Sequence, residues 1–126
     1  MKFSIDKHEK YVLFKLNEPK LDSITSAGLK SELIMLNANG MRNIILQLSD
    51  TKICDSSGLS ALLVANRLCK NSDGIFVLTG IQPTVEKVIQ ISQLEDVFNI
   101  VPSVSESIDL IFMEEIEKDL KRELDN

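Results

Sequence analysis

The segment Ile44-Ile45-Leu46-Gln47-Leu48 constrains this chain more than any other. It is apolar on both faces of a strand, and such a strand is stable only when both faces are covered. Ile75-Phe76-Val77-Leu78 repeats the pattern. Between and around these strands lie stretches with helical spacing. Strands alternating with helices imply an α/β fold, a small mixed sheet with helices on at least one face.

The remaining elements fit that frame. Residues 3–6 alternate apolar and polar, as a short strand does. Residues 11–16 form a second strand, with Val12, Phe14 and Leu16 on one face and Leu13 on the other, which keeps it off an exposed edge. His8-Glu9-Lys10 suits a hairpin turn between them. Pro19 closes the unit, and residues 21–26 read as a loop offering several helix caps. A helix then runs to about residue 37 with Leu29, Leu33 and Leu36 on one face, stopped by Asn39-Gly40. A second helix spans residues 59–70, and Pro83 opens a third over residues 84–91. Residues 94–101 leave room for a small edge strand, and a last helix starts near Ser103 or Ser105. The expected order is β-β-α-β-α-β-α-(β)-α.

At 126 residues the chain suits one domain, residues 1–126, with a core that needs no disulfide or metal. The net charge of −5 argues against non-specific nucleic-acid binding, which runs on excess Lys and Arg. No apolar run approaches the roughly 18 residues of a membrane span. Charges at Lys2 and Asp6 come too early for a signal peptide, so a soluble, cytoplasmic protein is expected. Cys54 and Cys69 match neither zinc nor redox spacing and read as buried, reduced thiols.

The last helix is irregular. Ile108, Phe112, Ile116, Leu120 and Leu124 recur every four residues. Each step drifts about 40°, so the series winds about 160° around the helix and no flat core can bury it all. Residues 108–116 are expected to pack on the domain. Residues 113–126 form an acidic helical extension, whose distal part is either frayed or a partner contact. From residue 109 onward there are seven acids and three bases, a net of −4.

The chemistry centres on Ile53-Cys54-Asp55-Ser56-Ser57-Gly58-Leu59, where a strand pattern gives way to an apolar helix. Two hydroxyls and a carboxylate thus sit at a helix N-terminus, which favours a phosphate. Asp and Ser are also ordinary N-caps. Unaided catalysis is not indicated. The only histidine is His8, no nucleophile elbow or phosphate loop is present, and the acids lack calcium-loop spacing. No catalytic residue, metal or cofactor is expected.

Residues 43–59, with the core Asp55-Ser56-Ser57-Gly58-Leu59, resemble the signature of STAS domains, and within that group the stand-alone bacterial anti-sigma factor antagonists. Leu21-Asp22-x-x-Thr25 resembles the family's segment before its first helix, and residues 74–83 its next strand and helix start. Pro19 departs from a glycine common there. The resemblance implies a small mixed sheet with helices on one side. It implies that Ser56, the first hydroxyl after the aspartate, is phosphorylated by an anti-sigma factor with a histidine-kinase-like ATPase fold. A serine phosphatase would reverse this, and unphosphorylated protein would bind the anti-sigma factor and free a sigma factor. Asp22, Thr25, Asp55, Ser57 and Gly58 join the expected partner-facing set, with Ser60 and Arg67 from the polar stripe of the following helix. The alternative is a non-phosphorylated STAS adaptor subunit of a lipid or solute transport ATPase, with Ser56 and Ser57 only capping.

Overall fold

The structure, a computed structural model, describes residues 1–125. The elements run β1 (Phe3–Lys7), β2 (Val12–Leu16), β3 (Lys20–Leu21), α1 (Ser23–Ala38), β4 (Ile44–Gln47), β5 (Ile53–Cys54), α2 (Ser56–Asn71), β6 (Phe76–Thr79), α3 (Pro83–Ile91), β7 (Asn99–Val101) and α4 (Val104–Asp125). The two-sided strand β4 takes the centre of a five-stranded sheet in the order β1-β2-β4-β6-β7. Only β1 and β2 pair antiparallel; β2, β4, β6 and β7 run parallel. The mixed sheet and four helices expected from the sequence are therefore present.

The parallel strands advance across the sheet in one direction, so their right-handed crossovers place α1, α2 and α3 on one face. Val12, Phe14, Ile44, Leu46, Phe76 and Leu78 point into that layer and meet Leu29 and Leu33 of α1, Leu62 and Ala65 of α2, and Val85 and Ile89 of α3. The alternate residues Leu13, Ile45 and Val77 point to the other face, which Ile111 of α4 covers. The expected one-sided layer thus holds for three helices, and the fourth crosses behind the sheet.

The structure departs from the sequence pattern in three further places. β3 and β5 form a separate two-residue parallel ladder, pairing Lys20 with Ile53 and Leu21 with Cys54. Residues 21–26 are accordingly strand end and first helical turn rather than loop. Helix α2 begins at Ser56, ahead of the expected start near residue 59. In α4 the buried positions are Ser107, Ile111 and Glu115. The four-residue series, expected to pack through residue 116, instead leaves Phe112 and Ile116 exposed.

A polar latch explains how α4 binds. Arg42 donates to both carboxylate oxygens of Glu115, at 2.9 and 2.6 Å, and Asn43 Nδ2 donates to Oε1 at 2.8 Å. Asn43 Oδ1 accepts from the Ile75 N–H at 3.0 Å, tying the latch to the sheet. One turn further on, Lys118 Nζ donates to the Asp73 carbonyl. Helix α4 is continuous through Asp125.

Candidate functional site

The short β3–β5 ladder sets the site. Its register pairs Leu21 with Cys54, so the next residues, Asp22 and Asp55, leave adjacent strands together. Such strands lie about 4.8 Å apart. Each aspartate then caps a helix. Asp22 accepts from the Thr25 N–H at 3.1 Å, and Asp55 accepts from the Gly58 N–H at 3.1 Å. Their backbones are nearly the same, φ −103° and ψ −170° against φ −99° and ψ −171°. Two helix N-termini therefore open side by side at the carboxyl edge of the parallel strands, where α/β folds place their sites.

Gly58 permits this arrangement. A Cβ there would lie 2.6 Å from Cys54 Sγ and 2.7 Å from the Leu21 carbonyl oxygen. The first turn of α2 thus sits directly on the ladder. Gly58 is buried, so its part is close approach and not the surface contact expected of it.

The other expected residues do reach the surface. Ser56 is the first residue of α2 and is exposed, as is Asp55; Asp22, Thr25 and Ser57 are half-buried beside them. Ser60 and Arg67 are exposed further along α2. At about 100° per residue both lie within about 40° of Ser56, so one strip of the helix carries all three. Ser23, Ile24 and Ile53 join the site from outside the expected set. Ser23 is the first residue of α1, exposed, and mirrors Ser56. Ile24 and Ile53 are 83% and 55% exposed, which gives this pole two exposed apolar side chains. The repeated Asp-Ser after an apolar residue was the signal for Ser23.

The titratable groups of the site offer an ionised carboxylate and two protonated thiols. The Thr25 N–H holds the Asp22 carboxyl below the usual carboxylate range, so it stays ionised at neutral pH. Burial pushes the Cys54 thiol up to about 11, helped by the neighbouring Asp55 charge, and the Cys69 thiol up to about 12. Both are buried, free thiols and poor nucleophiles. His8 is held in the β1–β2 turn, stacked on Tyr11 and bonded to Asp6. Among the described residues no group of three or more His, Cys, Asp or Glu is placed to hold a metal. None of the described helices is long and apolar enough to cross a membrane.

Fold and site define a mixed α/β module that presents an exposed serine hydroxyl beside a helix-capping aspartate. The sequence profile of the STAS domain matches residues 2–107, and the chain belongs to that family. It is similar in fold to a putative anti-sigma factor antagonist from Thermotoga maritima, at 22% identity and TM-score 0.77, covering 86% of this chain and 93% of that one. It is also similar to the Bacillus cell fate determinant SpoIIAA in its phosphorylated form, at 23% identity and TM-score 0.68, covering 87% and 99%. A sulfate transporter family protein from Wolinella succinogenes shares the fold at 14% identity and TM-score 0.70, covering 81% and 84%.

Proposed function

We propose that this protein is an anti-sigma factor antagonist, a binding module switched by phosphate on Ser56 rather than an enzyme. The observation that carries the reading is the exposed Ser56 hydroxyl at the first position of α2, flanked by the twin caps Asp55 and Asp22. A kinase can reach it. The partner is an anti-sigma factor with a histidine-kinase-like ATPase fold, which binds the unmodified form, and a serine phosphatase resets it. Exposed Ile24 and Ile53 supply apolar anchors of the kind that dominate interfaces. Ser60 and Arg67 extend the contact along α2.

Phosphorylation adds about −1.5 to −2 charge and three acceptor oxygens. The α2 N-terminus tolerates that charge. A partner surface packed closely against an uncharged hydroxyl has neither room nor counter-charge for the phosphate, and docking is lost.

The test uses ATP and the histidine-kinase-like ATPase of the same genome. Wild-type protein should be phosphorylated and Ser56→Ala should not, with mass spectrometry placing the phosphate. Ser56→Asp should bind that partner at least about tenfold more weakly than Ser56→Ala, a loss of about 1.4 kcal/mol. Labelling that persists in Ser56→Ala removes Ser56 from the mechanism. Equal affinity of the two variants removes the charge argument. Co-purification with a transport ATPase and no kinase would move the protein to the adaptor class.

A further inference from the structure

The outer face of α4 carries an apolar stripe that no other described residue covers. Phe112, Met113, Ile116, Leu120 and Leu124 are between 43% and 85% exposed. From Phe112 to Leu124 the stripe covers about 18 Å of helix axis. Its near end is fixed to the domain, because the Phe112 ring meets Tyr11 edge-on at 6.4 Å. Within about 100° of Ile116 the charged residues of α4 are all acidic. Asp109 and Glu123 lie within about 20° of Ile116, and Glu117 about 100° away. All three are exposed and have no ion-pair partner among the described residues. Lys118, Lys121 and Arg122 lie about 120° or more from Ile116. Lys118 is turned to Asp73, and Arg122 reaches back to Asp119 at 3.7 Å.

An apolar stripe rimmed by unpaired carboxylates selects its occupant by sign. A second copy of α4 would set carboxylates against carboxylates. Anionic lipid and nucleic acid are repelled in the same way. We propose that this face of α4 docks a basic amphipathic helix of a partner protein. The four-residue spacing fixes the geometry as well. It forms an i±4 ridge, which crosses a partner helix at about −50° where that helix also presents an i±4 ridge. The contact is short, centred on Ile116, and independent of the Ser56 pole.

The probe is a fluorescent leucine–lysine peptide of about 18 residues, amphipathic as a helix, titrated with the full chain at low ionic strength. A scrambled peptide of the same composition and a leucine–glutamate peptide serve as controls. The amphipathic lysine peptide should bind at least about tenfold more tightly than either control. Ile116→Asp with Leu120→Asp should remove that advantage, and so should Asp109→Lys with Glu123→Lys, which leaves the stripe intact. Both variants change exposed positions, and circular dichroism checks that they stay folded. Ser56→Asp should bind the peptide as wild type does, which separates this site from the phosphate switch. Equal binding of the scrambled peptide, or unchanged binding by the charge-reversed variant, overturns the proposal. A concentration-dependent dimer that Leu120→Asp dissolves would assign the face to a second copy instead.

Discussion

Ser56 occupies the first helical position of α2, and that placement decides what a charge there can do. Its neighbours hold the structure while its hydroxyl stays exposed. Gly58 shows how little slack lies beneath. Its missing Cβ leaves room that Cys54 Sγ and Leu21 already fill. Gly58→Ala should cost about 1–3 kcal/mol through overpacking, outweighing any gain in helix propensity. Urea unfolding measures this, and a stability equal to wild type would show that the ladder can shift. The Asp22 cap carries a pH signature. Its folded carboxyl lies below its ordinary value of 3.8. The unfolded chain therefore takes up the proton first, so the cap contributes stability above that value and loses it as pH falls through the lower folded one. Asp22→Asn should flatten the acid limb of the stability curve, and an unchanged limb would exclude Asp22 as its source.

Among the elements, α4 joins a polar latch to its apolar contacts with the sheet. Glu115 accepts from Asn43 and Arg42. Burial alone would push its carboxyl up, but the Asn43 bond and the Arg42 charge outweigh it and hold it below the ordinary value. Glu115→Ala should cost about 1–3 kcal/mol by stranding partly buried donors. Hydrogen exchange should rise in α4 before it rises in the sheet; uniform protection would mean that Ile111 alone suffices. Glu115→Gln, which keeps an acceptor for Asn43, should lose less. The same helix shows where sequence patterning stops. β4 and β6 were legible because runs apolar on both faces have one stable setting, the middle of a covered sheet. α1 was legible from Leu29, Leu33 and Leu36, all of which are buried. β3 and β5 were not, because two residues carry no periodicity. In α4 the pattern misled. Ile108 packs against the sheet as expected, but the rest of the apolar series faces outward, while the helix's anchor includes a serine and a carboxylate that no hydrophobic count would select. At the site, Asp55 and Ser56 were readable as a cap and its neighbour. Their pairing with Asp22 and Ser23 depends on a ladder visible only in three dimensions.

At the scale of the whole molecule, the sheet separates two surfaces. The Ser56 pole belongs to the layer of α1, α2 and α3, and the outer face of α4 lies behind the other side. The main core joins residues from β2, β4 and β6 to those three helices, so the layer behaves as one packed unit. A charge added at an exposed first-turn position has no buried group to displace. The helix N-terminus favours it by about 0.3–1 kcal/mol, and the neighbouring carboxylates oppose it. The switch should therefore act by surface charge and leave the fold where it is. Ser56→Asp should keep its melting temperature within about 4 °C of wild type, as a net change under about 1 kcal/mol requires. Amide shift changes in its NMR spectrum should stay within residues 19–25 and 49–60, the two caps and the ladder between them. Shifts spreading into β6, β7 or α4 would show that the added charge reorganises the core, and loss of docking would then be conformational rather than electrostatic.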